Sequence, residues 1–106
     1  MEWIKVFSAG EEARKKLTEN KPQLLIIRGQ ALCLVMRGGV FYAVENKCSH
    51  NGEQLHKGVV NFLGEVVCPW HGYRFNMKTG REASERSGDL AIFPVKENDE
   101  GVFLAL

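Results

Sequence analysis

Beyond Pro22, short runs rich in Val, Ile, Leu and Phe alternate at close spacing with turn formers, and this punctuation restricts what the chain can fold into. Arg28-Gly29-Gln30, Gly38-Gly39, Leu63-Gly64 and Asn98-Asp99-Glu100-Gly101 each place a glycine or turn residue between two apolar runs, as hairpins of an antiparallel sheet or barrel require. Strands are predicted at about Ile4–Phe7, Leu24–Arg28, Ala31–Arg37, Val40–Glu45, Val59–Phe62, Glu65–Val67, Tyr73–Phe75, Leu90–Lys96 and Val102–Leu106. One short N-terminal helix is expected ahead of most of them. Ser8 and Glu11 have capping-box spacing, Glu11 to Leu17 is rich in helix formers, and Asn20-Lys21-Pro22 closes the segment. The expected fold class is all-β and mostly antiparallel, as small stacked sheets or a partial barrel.

At 106 residues the chain suits a single domain, 1–106. Between Glu45 and Leu90 the strands shorten while glycines, polar residues and two Cys-His pairs accumulate. The segment of about 46–88 therefore reads as a functional subdomain inserted between scaffold strands.

The charge is nearly balanced, 14 Lys plus Arg against 13 Asp plus Glu, so the one-signed field of a nucleic-acid binder is absent. The longest apolar stretch, Ala31 to Met36, is far short of the roughly 20 residues a membrane-spanning helix needs. Met1-Glu2-Trp3-Ile4-Lys5 lacks the features of a secretion signal, and three cysteines suit a reducing compartment. The expectation is a cytoplasmic protein with neither nucleic-acid nor membrane partners.

The chemistry lies in Cys48-Ser49-His50 and Cys68-Pro69-Trp70-His71, separated by 17 residues and each placed in a loop after a predicted strand. Two thiols and two imidazoles could close a tetrahedral zinc site, or could divide between the irons of a [2Fe–2S] cluster. Spacing favours iron, because Cys-x-His is tighter than usual zinc-finger spacing and both loops carry the same ligand order.

At these residues the sequence resembles the Rieske family, whose pattern runs Cys-x-His-x-Gly-x-x-Leu-x-x-Gly, then Cys-Pro-x-His-Gly-x-x-Phe, then Thr-Gly. Cys48, His50, Gly52, Leu55, Gly58, Cys68, Pro69, His71, Gly72, Phe75, Thr79 and Gly80 supply every term, with Asn76 where aspartate is common. The resemblance runs from about Ile4 to Leu104. It implies a Rieske-like fold and one [2Fe–2S] cluster per chain, with Cys48 and Cys68 on the inner iron and His50 and His71 on the outer.

In quinol-oxidising relatives of this family, two further cysteines form a disulfide and Ser and Tyr hydroxyls bond to sulfur; those four positions are Glu53, Trp70, Tyr73 and Phe75 here. A potential near the low end of the Rieske range is therefore expected, about −150 mV rather than +300 mV. The chain is similar to soluble ferredoxins of multicomponent aromatic-ring oxygenases. That likeness implies an electron carrier, not an enzyme, with a flavin-dependent ferredoxin reductase as donor and an oxygenase or other redox enzyme as acceptor. In size it also resembles the small Rieske-like subunit of assimilatory nitrite reductase; a structural zinc protein is the remote third reading.

An oxygenase needs a separate iron held by two histidines and a carboxylate, and His56 alone cannot build one. His56 is expected to be a solvent-facing loop residue, Trp70 a cover over the cluster, and Cys33 a small buried hydrophobe. Pro69 and Gly72 are expected to shape the second loop. The alternating charges of Arg74, Lys78, Arg81, Glu82, Glu85 and Arg86 define no docking polarity.

Overall fold

The computed structural model describes residues 2–106. It contains β1 (Trp3–Phe7), α1 (Gly10–Lys16), β2 (Gln23–Ile27), β3 (Gln30–Arg37), β4 (Val40–Glu45), a 3₁₀ turn (Leu55–Lys57), β5 (Val59–Val60), β6 (Glu65–Val67), β7 (Arg74–Asn76), β8 (Ile92–Phe93), β9 (Val95–Asn98) and β10 (Gly101–Ala105). The strands form three small antiparallel sheets, ordered β1-β10-β9, β2-β3-β4-β8 and β5-β6-β7. The stacked-sheet expectation describes this arrangement; no sheet closes into a barrel among the described residues.

The β2-β3-β4-β8 sheet is the middle layer, and the sequence of β3 explains why. Side chains alternate across a strand, so a strand covered on both faces reads as a continuous apolar run. Leu32, Leu34 and Met36 pack with Ala13, Val102 and Leu104 on the side of α1 and β10. Cys33 and Val35 pack on the opposite side with Leu55, Val66 and Phe75. In β4, Phe41 and Ala43 join the first core and Val44 the second.

Three local expectations need correction. The helix has Ala9, not Ser8, as its N-cap, with no side-chain cap. Ser8 instead donates its hydroxyl proton to Glu12 Oε2 at 2.6 Å, one residue out of register with the capping box. The run Leu90–Lys96 is two strands, β8 and β9, meeting at Pro94, which has no N–H to continue the β8 ladder. Val59–Phe62 shortens to Val59–Val60, because Asn61 turns the chain: its Oδ1 accepts from the Leu63 and Glu65 N–H groups, each at 3.0 Å. No helix among the described residues is long and apolar enough to cross a membrane.

Candidate metal centre

The two Cys-His loops are built on one backbone plan. After β4, Cys48 N–H donates to the Glu53 carbonyl at 2.9 Å; after β6, Cys68 N–H donates to the Tyr73 carbonyl at 2.7 Å. In both, the cysteine closes on the residue five positions later, and the residue before that closure is a glycine in the left-handed region, Gly52 (φ 77°) and Gly72 (φ 68°). His71 is left-handed too, at φ 70°, a conformation that costs a residue with a side chain about 1–2 kcal/mol. The second loop thus holds its imidazole in a backbone state that an isolated peptide would avoid.

This plan sorts the four donors by depth. The Cys48 and Cys68 side chains are almost fully buried, at 1% exposure each, whereas His50 and His71 are exposed with ring centroids 5.9 Å apart. Burial pushes the Cys68 thiol up from its ordinary pKa; the Trp70 N–H opposes this, and the hydrogen-bonding Cys48 thiol adds to it. Two adjoining buried thiols, with the Cys68 proton held more tightly than usual, suit a metal ion, which supplies the positive charge that draws off thiol protons. Among the described residues, no three His, Cys, Asp or Glu side chains are placed to hold a single ion. The donors instead form a buried sulfur pair and an outer nitrogen pair, the division that a Rieske [2Fe–2S] cluster uses.

Packing fixes the loops from beneath. Leu55 and Phe75 are fully buried and share an apolar cluster with both cysteines. A Cβ at Gly58 would collide with the Val67 carbonyl oxygen, so only glycine lets the 3₁₀ turn lie against β6 immediately before Cys68. Asn76, where aspartate is common in the family, closes the turn at residues 76–79 with its Oδ1, which accepts from Lys78 N–H (2.7 Å) and Thr79 N–H (3.1 Å).

A third segment, residues 82–88, braces both loops, and the sequence reading missed it. Ser49 Oγ donates to the Gly88 carbonyl at 2.5 Å and lies 2.9 Å from Ser87 Oγ. Tyr73 stacks on His50 with centroids 4.0 Å apart and planes 9° apart, and the Arg86 guanidinium lies over the Tyr73 ring at 3.9 Å. Arg86 is tied in turn to Glu82, whose side chain is inaccessible to solvent. Burial alone would raise the Glu82 carboxyl, but the Arg86 N–H, the Arg86 guanidinium and the Ser84 N–H hold it down to about 2. In the sequence only the opposite charges of Glu82 and Arg86, four residues apart, hinted at the pair, and nothing there marked the carboxylate as buried.

His56 departs from its expected solvent-facing loop position. It lies in the 3₁₀ turn, half-buried, with both its N–H and its Nδ1 bonded to Asn46, itself only 5% exposed. Trp70 covers less than expected: it is 57% exposed and meets His71 edge-on at 5.6 Å. Cys33 is buried, with its thiol pushed up to about 12 by that burial, which leaves it chemically inert. All three cysteines are free, so no disulfide joins the loops.

Residues 3–94 match the Rieske [2Fe-2S] domain family. The 3-phenylpropionate/cinnamic acid dioxygenase ferredoxin subunit of Escherichia coli (strain K12) is 31% identical over 84 residues, covering 78% of this chain and 79% of that protein. Human apoptosis-inducing factor 3 is 43% identical over 72 residues, 67% of this chain, but the match spans only 12% of that protein's length. Among solved structures, a complex of reduced oxygenase and oxidised ferredoxin in carbazole 1,9a-dioxygenase contains a chain with TM-score 0.79 and 27% identity, covering 96% of this chain and 100% of that one. With the paired loops, the buried thiols and the outer imidazoles, these similarities establish that the chain belongs to the Rieske [2Fe-2S] domain family.

Proposed function

We propose that this chain is a one-electron carrier that receives electrons from a flavin-dependent ferredoxin reductase and delivers them to a terminal oxygenase or similar redox enzyme. Cys48 and Cys68, the buried thiols, and His50 and His71, the outer imidazoles, would hold the cluster. When bound, the cluster supplies reversible one-electron chemistry. The observation that carries the reading is the exposed His50–His71 pair, 5.9 Å apart over two buried thiols. Imidazole edges at the surface offer a partner a short path to the metal, while the apolar floor of Leu55, Val66 and Phe75 keeps water from the sulfurs.

The dioxygenase ferredoxin subunit and the oxygenase–ferredoxin complex support an oxygenase as acceptor. The former also favours a carrier over a fixed nitrite reductase subunit, since it matches over most of its own length. A cytoplasmic location belongs to this reading, since a chain with two ligand cysteines and one buried thiol, Cys33, suits a reducing compartment.

Spectroelectrochemistry of the loaded protein tests the carrier role. The expected result is reversible uptake of one electron per chain. A protein that accepts none anywhere in the Rieske range, about −150 to +300 mV, contradicts it.

A further inference from the structure

The stack His50–Tyr73–Arg86 ends in a fixed positive charge. Arg86 and His50 each lie about one stacking distance above the Tyr73 ring, and both cannot occupy the same face, so they flank it. Laid end to end, those two distances put the guanidinium within about 8 Å of the His50 ring, close enough for a unit charge to act through a partly exposed protein surface. Arginine stays protonated at any working pH, and its flat guanidinium suits an aromatic face better than lysine does.

The position is enforced from behind. Glu82 accepts from Arg86 N–H at 2.8 Å, and its two oxygens lie 3.4 Å from Nε and Nη2. The segment is itself anchored to β7 by Ala83 N–H to the Arg74 carbonyl (2.8 Å) and Asn76 N–H to the Arg81 carbonyl (2.9 Å). The Arg86 side chain remains 46% accessible, yet three features of the fold fix where its charge sits.

We propose that Arg86 raises the electron affinity of the centre, acting as a fixed positive charge across Tyr73 from the ligand His50. This rests on the cluster reading above and adds to it a residue outside the ligand loops. Reduction adds one electron and one negative charge at the site, with no protein bond made or broken. A nearby cation stabilises that added charge. Removing the Arg86 side chain deletes that cation, while the Glu82 carboxylate keeps the backbone N–H groups of residue 86 and Ser84 as donors and so keeps its charge.

The test is the midpoint potential of loaded wild type and of Arg86→Gln, Arg86→Met, Arg86→Lys and Arg81→Gln, with electrons supplied by an electrode at fixed pH and low ionic strength. Arg86→Met preserves length and packing over Tyr73 while removing the charge. Arg81→Gln removes an exposed cation from the neighbouring Arg81–Glu85 pair. The expected result is about a threefold to tenfold loss of electron affinity in both uncharged Arg86 variants, tenfold being 59 mV for one electron. Arg86→Lys is expected to keep more than half the wild-type affinity, Arg81→Gln to move less than a third as far as Arg86→Gln, and the gap to narrow in high salt.

An unchanged potential in whichever uncharged variant loads overturns the proposal, as does an equal shift in Arg81→Gln. Failure of both uncharged variants to load, with Arg86→Lys loading normally, would assign Arg86 to assembly and overturn it too. Absence of iron and sulfide from wild type would instead refute the cluster reading.

Discussion

Asn46 grips His56 with both ends of its amide: Oδ1 accepts from the His56 backbone N–H at 2.7 Å, and Nδ2 lies 2.8 Å from His56 Nδ1. A backbone N–H can only donate, so the oxygen end of the amide is fixed and Nδ2 must donate to Nδ1. The ring proton then resides on Nε2. Through this grip the short link between β4 and Cys48 is tied to the 3₁₀ turn that follows the first Cys-His loop.

Asn46→Ala leaves the part-buried His56 N–H without its acceptor and removes the Nδ1 bond as well, at an expected cost of about 1–3 kcal/mol. His56→Ala keeps the backbone bond and should cost less, about 1 kcal/mol. Urea unfolding of the two variants checks the order, and equal costs would show that the backbone bond contributes little.

Two glycines test backbone against packing. Gly72→Ala brings its added Cβ within 4 Å of no other protein side chain or backbone and meets left-handed strain, about 1–2 kcal/mol. Gly58→Ala drives a Cβ into the Val67 carbonyl, and overpacking of that kind costs about 1–3 kcal/mol or more. Thermal unfolding should therefore place Gly58→Ala below Gly72→Ala.

The Glu82 carboxyl makes a signed pH prediction. Its folded pKa, about 2, lies below the ordinary 4.5, so the stabilisation is complete above about pH 4.5 and disappears as pH falls through 2. The stability difference between wild type and Glu82→Gln should stay constant from pH 7 to 5 and shrink below 4.5. Denaturant titrations across this range measure it, and a difference that grows on acidification would reverse the assigned sign.

The free cysteines, with Tyr73 and Phe75 at the two positions where Ser and Tyr hydroxyl donors are expected in quinol-oxidising Rieske proteins, point to a midpoint potential of about −150 mV. A redox titration settling in the upper half of the Rieske range would contradict this.

Much of this was legible in the sequence because short-range spacing encodes it. The Cys-His pairs follow strands, their glycines mark left-handed turns, and the unbroken apolar run in β3 signals a strand covered on both faces. What escaped depended on contacts between distant segments. Glu82 and Arg86 looked like an ordinary solvated charge alternation, since nothing local says that one carboxylate is buried and the guanidinium rests on Tyr73. His56 looked like a loop residue because its partner lies 10 positions away. Ser8 had the composition of a cap but not its register, and Pro94 divided a run that hydrophobicity alone made continuous.

The most direct test of the centre is pulsed electron-paramagnetic-resonance spectroscopy of the dithionite-reduced protein, loaded and labelled with ¹⁵N-histidine. Two distinct histidine nitrogens should couple to the unpaired spin, and replacing His50 or His71, but not His56, should abolish one or both couplings. A spectrum with no histidine coupling, or one altered by loss of His56 alone, would contradict a [2Fe–2S] cluster held by Cys48, His50, Cys68 and His71.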